Sequence, residues 1–250
     1  MKGLLLALCL LTAWPAHAAL EQELFVSLGA SVLRIEVPRA NGGYGLGSGV
    51  VVAPEAVVTN CHVTRDANEV FVVRGEARLA VTAQASDLAH DLCLLQVPGL
   101  RTRAVPLGRT GSLSVGQSLT AIGYTGGAGL TRSLGEVVQL HRLDGARVIQ
   151  SSNQFNSGAS GGGLFDDSGA LVGILTFRLR GGQVHYFAAP AEWVQQLLDA
   201  GERLQRLEVV VPRPRPAVEQ EQGHPARADT PVPHPVRADP DVSLGPVHAR

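Results

Sequence analysis

The chain has 250 residues, 21 Lys and Arg against 22 Asp and Glu, and a formal net charge of −1, so it carries no excess positive charge for a nucleic-acid surface. Its hydrophobic content of 45% supports a packed core, while 29 glycines and only 4% aromatic residues favour short strands and turns over a helical bundle. Disorder of the whole chain and nonspecific binding of DNA or RNA are therefore set aside.

The N-terminal segment has the pattern of a secretory signal peptide. Lys2 supplies a positive charge, the apolar run Leu4–Trp14 follows, and the A-H-A sequence at 16–18 fits the small-residue motif that precedes cleavage. The run is too short to cross a hydrocarbon layer of about 30 Å. A buried N-terminal helix is the alternative. We predict a signal peptide over residues 1–18, an exported protein that is periplasmic or secreted, and no stable membrane insertion.

Between residues 28 and 190, short runs rich in Val, Ile, Leu and Thr alternate with clusters of Gly, Pro, Asn and Asp. This spacing is typical of an all-β sandwich or a pair of barrels. After Pro190, an apolar pattern near helical spacing predicts one C-terminal helix over residues 191–207. The predicted strands are 31–37, 49–53, 57–59, 70–73, 92–97, 118–123, 147–150, 171–177 and 183–188.

Composition changes near residue 211. Residues 212–250 hold nine of the fifteen prolines and no Trp, Phe, Tyr, Ile, Met or Cys. Such a segment buries too little apolar area to offset its ordering entropy, so we predict a disordered, Pro-rich tail over 211–250. Its three histidines, at 224, 234 and 248, stand too far apart among prolines for a preformed metal site. A linker, or an arm that docks an unidentified partner, is the favoured interpretation.

Three segments carry the groups that nucleophilic catalysis needs. His62 ends a β-branched run, Asp91 precedes an apolar strand, and Ser160 lies in the glycine-rich segment 156–164. A serine hydroxyl needs a neighbouring base, and an imidazole serves best when a carboxylate fixes its tautomer. Glycines around Ser160 predict an oxyanion hole at Gly158, Ala159 and Ser160, with the N–H groups of Gly158 and Ser160 as donors. Each segment alone also fits a structural histidine, a turn aspartate or a flexible loop.

Taken together, these segments resemble the trypsin-like serine peptidases and, within them, the bacterial HtrA-like branch. The chain order His62, Asp91, Ser160 matches the chymotrypsin arrangement, in which His and Asp come from the first barrel. The resemblance covers roughly residues 28 to 200. The matching motifs are G-L-G-S-G-V-V at 45–51, V-T-N-C-H-V at 58–63, D-L-C-L-L at 91–95, A-I-G at 121–123, S-L-G-E-V at 133–137 and F-A-A-P at 187–190.

The resemblance implies an all-β fold of two six-stranded antiparallel barrels with a C-terminal helix, in a peptidase domain over residues 20–210. It implies an exported serine endopeptidase that hydrolyses peptide bonds of protein or peptide substrates through an acyl-enzyme. Ser160 is then the nucleophile, His62 the general base and Asp91 the orienting acid, with no metal and no cofactor. The alternative is a catalytically weak or inactive peptidase-fold protein that acts as a peptide-binding or regulatory module. The oligomeric state stays open.

Two departures from the family pattern qualify this interpretation. The family reads G-N-S-G-G or G-D-S-G-G, whereas Ala159 stands at the middle position here. The acid at that place receives the new N-terminal amine in trypsin-like zymogens, so we expect no proteolytic zymogen switch. We also expect no PDZ domain after the peptidase segment, unlike typical members of the HtrA-like branch.

Two cysteines flank the candidate base and acid. Cys61 directly precedes His62, and Cys93 lies two residues after Asp91. If the resemblance brings His62 and Asp91 within hydrogen-bonding reach, the two cysteines also approach the Cα separation of about 5.5 Å that a disulfide needs. We therefore predict a Cys61–Cys93 disulfide, with two buried free thiols as the alternative.

The resemblance also indicates where a substrate binds. Gln154, six residues before Ser160, takes the position that often forms the floor of the primary pocket. Strand residues Thr176 and Phe177 are expected to offer an edge to an extended peptide, and Phe187 to narrow the pocket with Phe177. We expect a preference for small or medium uncharged side chains.

Overall fold

A computed structural model describes residues 22–39, 43–126, 129–181, 183–200 and 205–206, of which 178–181, 183 and 205–206 are described by their backbone alone. The predicted signal peptide (1–18) and the predicted Pro-rich tail (211–250) lie outside the described residues. The described strands are β1 (Val32–Pro38), β2 (Tyr44–Ala53), β3 (Ala56–Asn60), β4 (Phe71–Arg74), β5 (Ala77–Ala80), β6 (Ala83–Asp87), β7 (Leu92–Gln96), β8 (Ser118–Thr125), β9 (Gly129–Leu143), β10 (Ala146–Ser151), β11 (Gly163–Phe165), β12 (Leu171–Gly181), β13 (Gln183–Pro190) and β14 (Gln205–Arg206).

The strands form two antiparallel sheets. The first is eight-stranded, in the order β14-β6-β7-β3-β2-β1-β4-β5, and the second is a closed barrel in the order β10-β13-β12-β11-β8-β9. The mostly-β prediction is confirmed, and the six-stranded barrel is confirmed for the second half. The first half was expected to be a second six-stranded barrel. It is instead an eight-stranded sheet: β1 to β7 supply seven strands, and β14 from the C-terminal end of the described chain adds an eighth at the β6 edge.

The central strands of the first sheet are apolar without alternation because both faces are covered. Successive residues of β2 and β3 enter different clusters: Val50 and Val58 pack toward the second half of the molecule, whereas Val51 and Val57 pack in the interior of the first. A third cluster, which includes Leu119 and Ile149, fills the closed barrel. Full burial of each such side chain contributes about 1.5–3 kcal/mol. The first sheet is thereby fixed against the barrel.

Helices are few and short. Residues 22–29 form α1, Cys61–Thr64 form α2, and Ala191–Asp199 form α3, with a 3₁₀ turn at Thr110–Ser112. The sequence predicted a helix over 191–207. The structure ends it at Asp199, and Gln205–Arg206 pair as a strand instead. No helix was predicted at 22–29, because eight residues are too few to establish a 3.6-residue period.

Helix α3 anchors on the interface between the two sheets. Its buried residues, Ala191, Trp193, Val194 and Leu197, belong to the cluster shared by both halves or lie on the same helical face. None of the described helices has the length and hydropathy needed to cross a bilayer.

Candidate active site

His62 and Asp91 form a hydrogen-bonded pair at the junction of the two halves. The His62 Nδ1 atom lies 2.5 Å from Asp91 Oδ2, and the backbone N–H of His62 donates to Asp91 Oδ1 at 2.8 Å. One carboxylate thus holds both the ring and the backbone of the histidine. With Nδ1 bound to the acid, Nε2 is the ring nitrogen left for a proton transfer.

Asp91 reaches His62 from an uncommon backbone conformation. Its φ is 56°, in the left-handed region that a non-glycine residue rarely occupies. The Asp91 carbonyl is fixed by two donors, the N–H of Cys61 at 3.1 Å and Nδ2 of Asn60 at 2.9 Å. Such conformations persist where the surroundings over-determine them, as they do here. The turn before β7 therefore presents the carboxylate in a defined orientation.

A disulfide joins Cys61 to Cys93, with a Cα–Cα distance of 4.9 Å. The prediction of this bond is confirmed. It links the residue before His62 to the strand that follows Asp91, so α2 and β7 are held together covalently beside the pair. The Sγ atoms lie in the interior cluster of the first sheet, since Cys61 and Cys93 are both buried.

Ser160 lies in a loop that two positive-φ glycines shape. Gly158 has a φ of +96° and Gly161 a φ of +84°. A Cβ on Gly161 would overlap the carbonyl oxygen of Ser48 and the hydroxyl of Thr59, so no larger residue fits there without movement of β2 or β3. Ser160 itself is partly buried, and its carbonyl accepts the N–H of Ser48 at 2.8 Å.

Hydrogen bonds of the loop carbonyls set the direction of its N–H groups. In a trans peptide, the C=O and the following N–H point in opposite directions. The Ser157 carbonyl accepts the N–H of Gly126 at 3.1 Å, and the Ala159 carbonyl accepts the N–H of Gly162 at 2.8 Å. The N–H groups of Gly158 and Ser160 are therefore turned away from these partners. The N–H of Ala159 points in the opposite direction to those of Gly158 and Ser160. It donates to the backbone carbonyl of Asn156 at 3.0 Å, so it is not available to a ligand.

Ala159 is an interior residue. It is 1% exposed and belongs to the apolar cluster that fills the barrel. A Cβ on Gly123 would lie 3.1 Å from its Cα, Cβ and carbonyl oxygen, so the backbone of β8 packs tightly against it. The loop is thus ordered around a small apolar side chain rather than a polar one.

Two buried polar residues that the sequence analysis did not assign to the site connect it across the halves. Ser48 Oγ donates to the Gly158 carbonyl at 2.7 Å and accepts the N–H of Tyr124 at 2.8 Å. Asn60 Nδ2, besides its bond to Asp91, donates to Thr176 Oγ1 at 3.1 Å. Both residues are fully buried. The signal in the sequence that could have revealed them is their place in the motifs at 45–51 and 58–63.

A cleft of about 600 Å³ opens beside the His62–Asp91 pair. Thr176 and Phe177, predicted to bind substrate, line it together with His62 and Phe187. The rings of Phe177 and Phe187 stack with centroids 4.8 Å apart. Its remaining lining residues are Ala89, His90, Asp91, His141, Arg142, Leu143, Val148, Ala189 and Trp193.

Gln154, predicted at the floor of a primary pocket, is exposed and does not line this cleft. Its backbone N–H donates to Ser133 Oγ at 2.9 Å. The neighbouring Phe155 is buried, and its ring contacts that of Tyr186 at a centroid distance of 5.1 Å. In the described part of the chain, no group of three or more His, Cys, Asp or Glu side chains is arranged to hold a metal ion.

Comparison with known proteins decides the family. The family described as "Trypsin-like peptidase domain" matches residues 47–174, which is half of the chain and includes His62, Asp91 and Ser160. The chain belongs to the trypsin-like peptidase family. The match of this family to the β2–β12 region agrees with the sheet and barrel described above.

Relatives within the trypsin-like peptidases include periplasmic endoproteases. The chain is 33% identical over 178 residues to a probable periplasmic serine endoprotease DegP-like of Ectopseudomonas mendocina, covering 65% of this chain and 37% of the relative. It is 35% identical over 175 residues to the periplasmic pH-dependent serine endoprotease DegQ of Escherichia coli, covering 63% and 38%. The chain thus spans well under half the length of these relatives.

Solved structures of trypsin-like peptidases share the fold. The HtrA-type protease AlgW with a tripeptide has a TM-score of 0.65 and 26% identity, and the match covers 72% of this chain and 62% of that one. The active form of the Rv3671c protease from M. tuberculosis has a TM-score of 0.67 and 24% identity, covering 73% and 85%. The resemblance to the HtrA-like branch is therefore confirmed.

Proposed function

We propose that this chain is an exported serine endopeptidase that cleaves peptide bonds of protein or peptide substrates through an acyl-enzyme. The observation that carries the proposal is the His62–Asp91 pair, in which one carboxylate binds both the Nδ1 and the backbone N–H of the histidine. The His62 side chain is 38% exposed and lines the cleft, so its ring is held by Asp91 and is still accessible to a substrate.

In the proposed mechanism, Ser160 Oγ attacks the substrate carbonyl while His62 Nε2 takes the hydroxyl proton. Asp91 holds the ring and stabilises the imidazolium that forms. The N–H groups of Gly158 and Ser160 bind the oxyanion of the tetrahedral intermediate. His62 then returns its proton to the leaving amine, and water releases the acyl group by the same route in reverse. No step requires a cofactor.

An extended peptide is proposed to bind along β12. On one side this strand pairs with β13 from Gly173 to Gly181, with a register shift between Leu175 and Phe177. On the other side it pairs with β11 only up to Ile174, after which the Leu175 backbone bonds to Gly161 and Gly162. From Thr176 onward, no strand covers that side in the part of the chain that the structure describes. Strand addition there would place the substrate beside His62 and over the cleft.

Export is part of the proposal. The signal-peptide pattern over residues 1–18, the disulfide, and the names of the periplasmic relatives all support it, because stable disulfides form in oxidising compartments. Expression of the full chain in a Gram-negative host and N-terminal sequencing of the periplasmic protein test it. A mature N-terminus directly after Ala18 is expected, and recovery of intact Met1 in the cytoplasm would contradict it.

The activity is tested by labelling the protein with a fluorophosphonate probe and locating the label by peptide mass spectrometry. We expect labelling at Ser160, and its loss in Ser160→Ala. His62→Ala and Asp91→Asn should reduce the labelling rate by about 10⁴-fold, since both leave the serine without an oriented base. Ser168→Ala, which changes an exposed turn serine far from the site, is the matched control and should label as wild type does.

Labelling is followed by digestion of fluorescent casein with the same variants. Casein cleavage that depends on Ser160 supports the endopeptidase. Folded wild-type protein that neither takes the label nor cleaves casein would contradict the proposal and favour the peptide-binding module instead.

A further inference from the structure

His90, the residue before the candidate acid, is held on both ring nitrogens. Its Nδ1 lies 2.6 Å from Asp87 Oδ2, and its Nε2 lies 3.1 Å from Asp144 Oδ2. The backbone N–H of His90 also donates to Asp87 Oδ1 at 3.2 Å. The ring stacks on Trp193 with centroids 3.8 Å apart and planes at 28°. His90 therefore has four defined contacts with three partner residues, none of which the proposed mechanism uses.

The three partners of His90 belong to three different parts of the fold. Asp87 ends β6 in the first sheet, Asp144 lies in the turn between β9 and β10 of the barrel, and Trp193 belongs to α3. The Asp144 carbonyl in turn accepts Trp193 Nε1–H at 3.3 Å. His90 is thus a point where the sheet, the barrel and α3 meet, one peptide bond away from Asp91.

We propose that His90 is a positioning residue for the candidate active site, which ties the Asp91 turn to the barrel and to α3 across the far end of the cleft. The proposal rests on the proposed function, because it assigns His90 a role in presenting Asp91 to His62. Asp91 has a φ of 56°, so its carboxylate is aimed correctly only while the turn that carries it is held. The contacts of His90 with Asp144 and Trp193 supply part of that restraint from the barrel and from α3.

The charge of the ring follows from its partners. Two carboxylates accept from the two nitrogens, and only an imidazolium has a donor on each. Burial alone would disfavour that charge, but the hydrogen bonds and charges of Asp87 and Asp144 outweigh it and raise the pKa of His90. The tie to the barrel is present while the ring is protonated. As the pH rises through this raised pKa, the ring keeps one N–H and one of the two carboxylates loses its donor.

Other ionisable groups line the same cleft as His90. His62 and Asp91 form its rim on the side of the first sheet, and His141 and Arg142 of β9 line it on the barrel side. His141 Nε2 is bound to Gln150 Oε1 at 3.0 Å rather than to a carboxylate. On α3, Glu192 turns toward Thr110, accepting its N–H and hydroxyl. Within the described residues, the two carboxylates bonded to the His90 ring are therefore Asp87 and Asp144.

The first arm of the test is NMR of the Ser160→Ala protein, which needs no turnover. We expect the His90 ring to titrate above its ordinary value of about 6.5, and the titration to move back toward that value in Asp144→Asn. The low-field resonance of the His62 Nδ1 proton, which reports its bond to Asp91, should broaden or shift in His90→Phe at about pH 6. An unchanged His62 resonance would overturn the positioning role.

The second arm compares rates of fluorophosphonate labelling between about pH 5.5 and 9. The labelling rate of wild type should exceed that of His90→Phe about tenfold at the acid end, as expected for a displaced catalytic group. The ratio of the two rates should fall toward one at the alkaline end. His90→Phe keeps the stack on Trp193, and Asp144→Asn changes a side chain that is 64% exposed in a turn that tolerates Asn. Asp144→Asn should give a smaller ratio with the same trend.

His185→Asn is the matched control, since this histidine binds Gln150 and does not line the cleft. Its labelling profile should follow that of wild type. A ratio for His90→Phe that is constant with pH would assign His90 a purely structural role and overturn the proposal. Absence of labelling in wild type would refute the proposed function. The NMR arm would still decide whether His90 positions the Asp91 turn.

Discussion

Reduction of the Cys61–Cys93 disulfide is expected to destabilise the protein by an amount set by the loop that it closes. The two cysteines are 32 residues apart. For a loop of this length, the chain-entropy relation gives a loss of about 4 kcal/mol in the free energy of unfolding at 25 °C. In a domain of this size, a loss of that order lowers the thermal midpoint by roughly 8 to 16 °C.

Urea and thermal unfolding of the wild-type protein, with and without reductant, measure this effect. Reduction keeps both sulfur atoms in the interior, so the experiment measures the contribution of the cross-link without that of side-chain packing. The double variant Cys61→Ala/Cys93→Ala serves as the control. Because Cys61 and Cys93 are 5% and 0% exposed, it adds a cavity to the lost cross-link and should be the least stable form, but it should not respond to reductant.

Equal unfolding midpoints for oxidised and reduced wild-type protein would refute the reasoning, because the loop would then not constrain the unfolded chain. A second consequence follows from the position of the bond beside His62. Reduced protein that remains folded should label more slowly at Ser160, since α2 and β7 are then held only by packing and hydrogen bonds, without the covalent link. Labelling at an unchanged rate would mean that the disulfide stabilises the fold and not the site.

Four further substitutions probe the site. Gly161→Ala should lower the free energy of unfolding by about 3 kcal/mol through overlap with β2 and β3, whereas Gly116→Ala, with a similar φ of +82° but open space around it, should lower it by about 1 kcal/mol. Ala159→Asp should cost about 3 kcal/mol at neutral pH and less in acid, where the carboxyl is uncharged, with Ala159→Asn as the uncharged control in urea unfolding. Asn60→Ala should lose about 2 kcal/mol and slow Ser160 labelling, because it removes two buried hydrogen bonds. The stability advantage of wild type over His90→Phe should be greatest below about pH 6.5. It should decline as the pH rises through the raised pKa of His90, because the folded state then releases the proton that the unfolded state has already lost. Urea unfolding at a series of pH values measures this difference.

Local sequence patterns predicted much of the fold and the identity of the candidate residues. All nine predicted strands correspond to strands of the structure, because their Val- and Leu-rich runs are bounded by turn residues. The exposed strand β9 was not in that set. Its 15 residues, Gly129–Leu143, mix charged and apolar side chains, since much of the strand faces solvent.

The remaining features depend on contacts between distant parts of the chain. Ser48 and Asn60 reach partners 110 and 116 residues away, and no local period marks such a pair. The role of His90 is similar, because its contacts with Asp144 and Trp193 cross from one half to the other. The eighth strand of the first sheet, β14, is only two residues long, so no strand pattern could signal it.

The bond from Ser48 to the loop around Ser160 also bears on the order in which the molecule folds. The first sheet contains the candidate base and acid within contiguous early sequence, apart from β14, and its contacts can form while the rest of the chain is still being made. The loop around Ser160 reaches its final shape only when it closes on β2, a contact across 110 residues that is slow to form. In a chain that lacks the second half, the Ser160 loop is therefore not closed on β2, and the Asp91 turn lacks the contacts of His90 with Asp144 and Trp193. The candidate base, acid and nucleophile are therefore brought into their final arrangement only after both halves have folded.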